Sequence, residues 1–576
     1  MSICKKLIMN KINKLKSFFL KHNIDGYIIP KNDDYFNEFV NPNNDRLKYI
    51  SNFSGSFGYV LILKNKNYLF VDGRYLIQAN IESSKNYTIL EIAKNPISNF
   101  IKKLNVRIGF DPSLFKYLWI KKNNNKNLIS IEENLIDQIW KRNKNKINKA
   151  FILSENFHGE HYKSKIFKVK KILKINEKKT YFVQSNENIC WLLNIRGKDT
   201  DFAPILNSTA LITNKQIFVF CEISKISSTI KKFYGKKINF LHTKKLTEKL
   251  FKLKNFVIAV DSNTSYKIID SLKKNHLKFK FQTDPIYSLK SQKNNTEILN
   301  SKLCHIYDGV AVTKFICWLK NQKNLTKINE MYAETRLEQY RKRNSSYLFP
   351  SFKTISGFGK NGAIIHYRAS KQSNLAFANN NLYLIDSGGQ YKEGTTDITR
   401  TISFGKPSSF QKKIYTKVLQ GHIAVHEFKI KKKTTGKEID YVARKNLKKI
   451  NLDYNHGTGH GVGQFLNVHE NPPSISKLSN QHFYQGQIVS NEPGFYKQNE
   501  FGIRIENLIY VERINSKYKF CNLTLVPYEK KLINKKLLNP REINYINNYH
   551  QTVFDSLKAF MNKDELAFLE TQCSPI

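Results

Sequence analysis

The feature that most constrains this chain is a series of acidic and His residues between positions 366 and 506, set beside glycine and flanked by apolar runs of β type. One such run, 382–385, ends at Asp386 and is followed by Ser-Gly-Gly. The pattern predicts a buried strand that delivers a carboxylate at its end, where glycine lets a second backbone approach. Asp397 follows eleven positions later in a Thr-rich alternating segment that also predicts a strand. A turn around residues 392–394 would bring both carboxylates to one site.

Two histidines continue the series. His456 and His460 lie four positions apart in the segment HGTGHG. On a helix this spacing would place both rings on one metal ion, but each glycine there costs up to about 1 kcal/mol, which makes a helix a poor interpretation. On an extended or turning backbone the rings diverge. We therefore expect one ring to be a ligand and the other to face substrate, with Glu492 (SNEPG) and Glu506 (GIRIEN) completing the set.

Each of these residues alone is weak evidence, because Asp and Glu near Gly or Pro are common turn formers and a lone His is commonly a hydrogen-bond partner. The order Asp, Asp, His, Glu, Glu is more specific. Four carboxylates and one imidazole are hard ligands that suit Mn, Co or Fe, and they differ from the thiolate sets of structural zinc. Five such residues hold two divalent ions only if some carboxylates bridge.

The motifs DSGGQYKEGTTDITRT, HGTGHGVGQFLNVHE, NEPGFY and GIRIEN together resemble the metal site of the pita-bread metallopeptidases, and specifically of the aminopeptidase P (Xaa-Pro aminopeptidase) family. Further segments resemble the long, three-domain form of that family: NFSGSFG, VDGRY, NICWLLNIRGKDTDFAPIL, NGAIIHYRAS, NNYH and ETQCSPI. The resemblance covers nearly the whole chain. It implies a peptidase that cleaves the bond between an N-terminal residue and a following proline, with a hydroxide that bridges two divalent metals, Mn²⁺ being the expected ion.

The resemblance also implies a role for each ligand. Asp397 and Glu506 bridge the two ions, Asp386 binds one of them, and His460 and Glu492 bind the other.

Four residues are implied to act on the substrate. Glu492 takes the proton of the attacking water and passes it to the leaving proline nitrogen. His469 stabilises the tetrahedral oxyanion, while His366 and His456 orient the substrate backbone and its proline.

The predicted fold class is α/β (α+β), because 576 residues exceed one ordinary core. The first part alternates helix-like and strand-like stretches, with a hairpin around Lys64–Asn67, and a second alternation of the same kind follows a Lys-Asn-rich segment at 141–149. We predict two related N-terminal α/β domains, at 1–150 and 151–295. A pita-bread catalytic domain at 296–576 opens with a helix near 296–320 and ends in a helical extension.

The formal net charge of +49 raises nucleic acid as a partner, but the lysines are spread and interleaved with asparagine, so we expect a solvated basic surface and no specific nucleic-acid site. Seven scattered cysteines without a C-x-x-C pair indicate free thiols in a reducing compartment. No apolar run approaches the ~18 residues of a membrane span. We predict a cytoplasmic protein with no membrane contact. The resemblance implies a homodimer that binds peptides with proline in second position.

Two alternatives stay open. Prolidases are dipeptidases that share the five ligands, and the distinction depends on how the N-terminal domains close the cleft, which motifs do not show. A non-catalytic, peptide-binding pita-bread module would suit the basic charge, but such modules are expected to have lost ligands. Methionine aminopeptidases share the fold and lack two large N-terminal domains, so chain length disfavours them.

Overall fold

Two six-stranded sheets with the same connectivity form the first half of the chain. The computed structural model describes residues 2–83, 86–123, 127–143 and 147–576. Residues 144–146 of the Lys-Asn-rich segment proposed as a domain boundary therefore lie outside the described part. The chain divides into two compact units. The first comprises residues up to Leu153 with His161–Ile286, and the second comprises Ser154–Glu160 with Tyr287–Ile576.

The first sheet has the strand order β4-β3-β2-β1-β5-β6. Strands β2 and β3 are antiparallel neighbours joined by residues 64–66, which confirms the predicted hairpin. The strands are β1 (Gly26–Pro30), β2 (Gly58–Leu63), β3 (Asn67–Val71), β4 (Thr88–Glu91), β5 (Ile108–Phe110) and β6 (Leu128–Ser130). The helices are α1 (Ser2–Lys16), α2 (Arg46–Ser51), α3 (Leu76–Glu82), α4 (Ile97–Leu104), α5 (Tyr117–Lys122) and α6 (Leu135–Ile139).

The opening helix packs one face onto this sheet. Ile8, Ile12, Leu15 and Phe19 recur at helical spacing and are buried in the same hydrophobic cluster as the strand residue Ile29. This burial is what an amphipathic helix at the start of the domain requires.

The second sheet has the order β12-β11-β10-β8-β13-β14, and each pairing has the same direction as its counterpart in the first sheet. The prediction of two related N-terminal α/β domains is thereby confirmed. The strands are β7 (Phe151–Ile152), β8 (Lys179–Val183), β9 (Ile195–Arg196), β10 (Ser208–Ile212), β11 (Ile217–Cys221), β12 (Ile238–His242), β13 (Val257–Val260) and β14 (Phe279–Phe281). The helices of this stretch are α7 (Glu155–His158), which belongs to the second unit, α8 (Tyr162–Leu173), α9 (Asn186–Leu193), α10 (Ser228–Tyr234), α11 (Leu246–Phe251) and α12 (Tyr266–Lys274).

The second unit combines helices with several small antiparallel sheets, ordered β16-β17-β20, β15-β18-β19, β24-β25 and β22-β21-β23-β26-β27. Its helices are α13 (Pro285–Ser291), whose first two residues belong to the first unit, α14 (Asn295–Lys320), α15 (Glu330–Arg341), α16 (Ser409–His426), α17 (Gly436–Lys448), α18 (Pro540–Leu557) and α19 (Lys563–Cys573). Its strands are β15 (Tyr347–Pro350), β16 (Ile355–Phe358), β17 (Leu382–Ser387), β18 (Gly389–Tyr391), β19 (Gly394–Thr395), β20 (Ile398–Ser403), β21 (Gly459–Gly461), β22 (Glu470–Ile475), β23 (Ile488–Asn491), β24 (Gly494–Lys497), β25 (Phe501–Arg504), β26 (Asn507–Ile514) and β27 (Lys517–Asn522).

The long helix predicted near 296–320 is confirmed as α14, which begins one residue earlier. Asn294 caps it, and Glu297 returns a hydrogen bond to the cap backbone, so a capping box sets the start of the helix. Phe315 and Leu319 of this helix share a buried cluster with Tyr383 of β17. That contact covers one face of the strand that carries Asp386.

Two further features concern surface and thiols. Across the residues that the structure describes, no helix is both long and apolar enough to cross a bilayer. The six cysteines whose side chains are described are all unpaired.

Candidate active site

Strands β17 and β20 bring the two aspartates of the series together. They pair antiparallel with Asp386 opposite Thr399, and Asp397 lies immediately before β20. Alternation along β17 points Tyr383 and Ile385 into the buried cluster beneath α14, which leaves Asp386 on the opposite face. The hairpin of β18 and β19 forms the connection, with its turn at residues 392–393, as the sequence predicted.

The other three members of the series lie on or beside the five-stranded sheet. His460 is on β21, Glu492 follows β23, and Glu506 precedes β26. Strands β23 and β26 pair antiparallel with Asn491 opposite Asn507, so the two glutamates flank the same residue pair. Both carboxylates are therefore delivered to one end of that pair of strands.

Three residues form a compact set of possible metal ligands. Asp397, His460 and Glu506 each offer one ligand atom, and these atoms all lie within 4.8 Å of one another. Nε2 of His460 is 3.6 Å from Oδ2 of Asp397 and 3.6 Å from Oε1 of Glu492. Its Nδ1 lies 2.9 Å from the carbonyl of Gly461, which orients the ring with Nε2 towards the carboxylates.

Asp386 is held differently. Its Oδ2 accepts a hydrogen bond from Nη2 of Arg504 at 2.6 Å. Its Oδ1 and the Oδ1 of Asp397 are buried, and no donor within the described residues reaches either oxygen. A buried acceptor without a donor is costly, and a cation would satisfy both oxygens.

The electrostatics of the cluster also fit bound cations. Burial raises the pKa of Asp397 to about 6, and the negative charges of Asp386 and Glu492 act in the same direction. The contact with His460 opposes this rise. Burial, followed by the charges of Asp397, Glu492 and Asp386, raises the pKa of Glu506 well above its usual range. Burial opposes protonation of His460, but the nearby carboxylates outweigh it and raise its pKa to about 9. Carboxylates this crowded and buried stay ionised when divalent cations sit among them.

The three other predicted histidines occupy different positions. His456 is half-buried, with Nδ1 2.7 Å from the carbonyl of Gly457 and Nε2 2.8 Å from the hydroxyl of Tyr496. His456 and His460 thus have separate partners. The exposed ring of His469 is inclined by 67° to that of His460, with centroids 4.2 Å apart. His366 is half-buried and lies in the turn that follows the short helix 359–363, on a separate loop.

Sequence reasoning missed residues that support the candidate ligands. Arg504 donates to Asp386, to the hydroxyl of Thr399 at 3.1 Å and to the hydroxyl of Tyr496 at 2.6 Å. Thr399 in turn donates to Oε2 of Glu506 at 2.7 Å. The signal was present in GIRIEN, because residues two apart on an extended strand share a face. A buried carboxylate cluster also requires a nearby cation.

The chain matches family descriptions along nearly its whole length. These are the creatinase/prolidase N-terminal domain at residues 11–139 and again at 141–297, metallopeptidase family M24 at 301–513, and the C-terminal region of peptidase M24 at 516–576. A relative from Dictyostelium discoideum named Xaa-Pro aminopeptidase 1 is 33% identical, over 99% of this chain and 97% of its own.

Two solved structures resemble this one to different extents. An X-prolyl aminopeptidase from Caenorhabditis elegans, described as a cytosolic enzyme with a di-nuclear active site, matches with a TM-score of 0.93 and 29% identity. That match covers 99% of this chain and all of the other. A prolidase from Pyrococcus horikoshii matches with a TM-score of 0.51 and 26% identity, over 64% of this chain and 99% of its own.

Proposed function

Because the chain belongs to metallopeptidase family M24, with two creatinase/prolidase-type N-terminal domains, we propose that it is an Xaa-Pro aminopeptidase. It is a hydrolase that removes the first residue from peptides whose second residue is proline. The observation that carries this function is the close approach of Asp397, His460 and Glu506, whose ligand atoms all lie within 4.8 Å of one another. Oε1 of Glu492 lies 3.6 Å from Nε2 of His460. This arrangement combines with a match to an X-prolyl aminopeptidase over 99% of the chain.

Two divalent ions fit this cluster, and the di-nuclear site of the Caenorhabditis elegans enzyme supports that number. In this proposal Asp397 and Glu506 would hold both ions, Asp386 would hold one of them, and His460 with Glu492 would hold the other. Hard oxygen donors predominate, so Mn²⁺ is the ion we propose. When bound, such a pair acts as Lewis acid and lowers the pKa of a shared water towards ~7.

Glu492 is the proposed proton carrier. Its Oε1 accepts a hydrogen bond from Oγ of Ser490 at 3.2 Å, and its backbone N–H donates to the carbonyl of Thr458 at 2.8 Å. These contacts hold the carboxylate beside the site and leave it only partly buried. It can therefore accept a proton from the attacking water and return it to the proline nitrogen as the peptide bond breaks.

The histidines act on the substrate in this proposal. His469 is exposed beside His460 and donates to the oxyanion that develops on the scissile carbonyl. Tyr496 fixes the ring of His456, which orients the substrate backbone together with His366. Holding the substrate in this way keeps the scissile carbonyl aligned with the attacking water, which lowers the barrier to reaction.

Two competing functions are less well supported. The Pyrococcus horikoshii prolidase matches over nearly all of its own length but over only 64% of this chain. A prolidase function would therefore leave the remaining part of this chain unexplained. A non-catalytic peptide-binding module would have no use for the full set of ligands, which is retained here in one buried cluster.

Three further proposals accompany the function. We propose domain limits at 1–150, 151–295 and 296–576, a homodimer, and a cytoplasmic location. The location is supported by the cytosolic description of the Caenorhabditis elegans enzyme. Sedimentation of the purified chain tests the dimer.

The experiment that tests the function measures release of free Arg from Arg-Pro-Pro and from Arg-Pro, after chelation and again after added Mn²⁺. Metal-dependent cleavage of the tripeptide is the expected result. Cleavage of the dipeptide alone would identify a prolidase. Cleavage of neither, with Mn²⁺ restored, would contradict catalysis and favour the binding module.

A further inference from the structure

A buried arginine lies behind the candidate metal ligands, on the apolar face of a strand. Arg400 is 2% exposed and stands on β20 between Ile398 and Ile402, which belong to the hydrophobic cluster beneath α14. By the alternation of a strand, Arg400 faces away from the side that carries Asp397 and Thr399. It is therefore no ligand and does not reach substrate.

The guanidinium is satisfied by neutral oxygens. Its hydrogen bonds run from Nε to Pro527 O (3.2 Å), from Nη1 to Thr399 O (3.0 Å) and Glu506 O (2.7 Å), and from Nη2 to Asn507 Oδ1 (2.8 Å), Val526 O (2.7 Å) and the hydroxyl of Tyr549 (3.0 Å). A buried charge is costly, so its N–H groups must all find acceptors. Lys could not serve, because its ammonium lacks the planar fork that reaches acceptors on several sides.

These acceptors join the candidate ligand Glu506 to the C-terminal region. Glu506 and Asn507 belong to the cluster and its strand, whereas Val526 and Tyr549 come from the C-terminal region. The Tyr549 hydroxyl also accepts a hydrogen bond from the backbone of Val526 at 3.3 Å. The ring of Tyr528 stacks on that of Tyr549 with centroids 4.6 Å apart.

A second branch reaches the other glutamate. The hydroxyl of Tyr528 accepts from Nδ2 of Asn507 at 3.3 Å and lies 3.1 Å from Nε2 of His422. Nδ1 of His422 lies 3.0 Å from the carbonyl of Asn491, whose side chain donates back to the carbonyl of His422 at 2.9 Å. Asn491 directly precedes Glu492 and pairs with Asn507. The backbones on both sides of the glutamates are thus held from behind.

We propose that Arg400 and Tyr549 are positioning residues of the metal centre, through which the C-terminal region, residues 516–576, sets the position of Glu506. The inference rests on the dinuclear site proposed above. Ligand distances in metal sites tolerate only a few tenths of an ångström. A shift of the Glu506 backbone should therefore lower the metal affinity. Mutation of residues that hydrogen-bond to metal ligands commonly lowers that affinity by about 10–100-fold.

The test measures Mn²⁺ binding by isothermal titration calorimetry on the metal-free, full-length protein. We compare the wild type with Arg400→Lys, Tyr549→Phe and a control, Tyr415→Phe. Tyr415 is also buried, at 0% exposure against 5% for Tyr549, and its hydroxyl accepts one backbone N–H, from Glu529 at 3.0 Å. The expected result is a loss of about 10–100-fold in Mn²⁺ affinity for Arg400→Lys, a smaller loss for Tyr549→Phe, and none for Tyr415→Phe.

The stability of each variant is measured in parallel by urea unfolding. A general loss of stability would lower Mn²⁺ affinity as much in Tyr415→Phe as in Tyr549→Phe, and that outcome would overturn the proposal. Wild-type Mn²⁺ affinity in Tyr549→Phe would overturn it as well. If Arg400→Lys does not fold, the two tyrosine variants still decide. A wild type that binds two Mn²⁺ but releases no Arg from Arg-Pro-Pro contradicts the proposed function and leaves this inference intact.

Discussion

Arg504 and Asp386 form an ion pair of 2.6 Å between Nη2 and Oδ2, and the arginine side chain is only 2% exposed. The same guanidinium donates to Thr399, which donates to Glu506, so one cation orders two of the proposed metal ligands. It also donates to Tyr496, the partner of His456. The candidate ligands and the partner of His456 therefore share one buried cation.

Replacing Arg504 with Met is expected to destabilise the protein by about 3–5 kcal/mol, because removal of one partner leaves a buried charge uncompensated. Urea unfolding of the metal-free protein measures the change. The control is Lys64→Met, which breaks the exposed pair with Asp25 and should cost less than about 1 kcal/mol. Equal effects of the two substitutions would contradict a structural role for the Arg504 pair.

Asp397→Asn is expected to abolish turnover of Arg-Pro-Pro, because loss of a bridging charge empties at least one metal position while the fold persists. Elemental analysis of the purified variant should show fewer than two ions, with an unchanged circular dichroism spectrum. Asp555→Asn, at an exposed position on α18, serves as the control and should keep full activity. Full activity of Asp397→Asn would refute the two-metal assignment.

His469→Ala is expected to lower kcat by a few hundred-fold, or about 3 kcal/mol, as removal of an oxyanion donor does. Because the ring is exposed, metal content and thermal stability should stay at wild-type values. Steady-state kinetics with and without the substitution give the comparison, and His242→Ala on the first unit is the neutral control. A loss of metal from His469→Ala would instead make this histidine a ligand.

His550 is expected to contribute stability that is lost as the pH falls below about 6.5. Burial, with the charges of Lys530 and Arg400, lowers the pKa of this histidine to about 3. In the unfolded chain this histidine has a pKa of about 6.5. Between about pH 6.5 and about pH 3 the ring is therefore protonated in the unfolded chain but neutral in the folded protein, and the stability present above about pH 6.5 is lost progressively as the pH falls.

The expected slope from His550 is about 1 kcal/mol per pH unit. Urea unfolding of the metal-free protein at pH 7, 6 and 5 measures it, and His550→Gln should show a smaller slope than the wild type. Gln can still accept the hydrogen bond that His550 receives from the backbone of Tyr528 at 3.1 Å. Identical slopes would show that His550 titrates normally in the folded state.

Much of the architecture could be read from local patterns. The hairpin of β2 and β3, helix α14 and strand β17, which carries Asp386, follow from periodicity, capping residues and glycine placement, which act over a few neighbouring positions. The two N-terminal domains were predicted as similar in kind. Their identical strand order was not, because sheet order depends on pairings between distant segments.

The sequence by itself determined the fold class and the order of the ligand candidates, because strand periodicity and motif spacing are properties of nearby residues. Only the tertiary structure decided which residues hold those ligands. Arg504 meets Asp386 across 118 positions, and Arg400 meets Tyr549 across 149. Arg400 lies in the motif that contains Asp397, and Arg504 lies in the motif that contains Glu506, but the sequence analysis singled out only the two acidic residues. The physical reason is that a buried cation is stable only where acceptors converge in space, and that convergence exists only after distant strands and helices have packed.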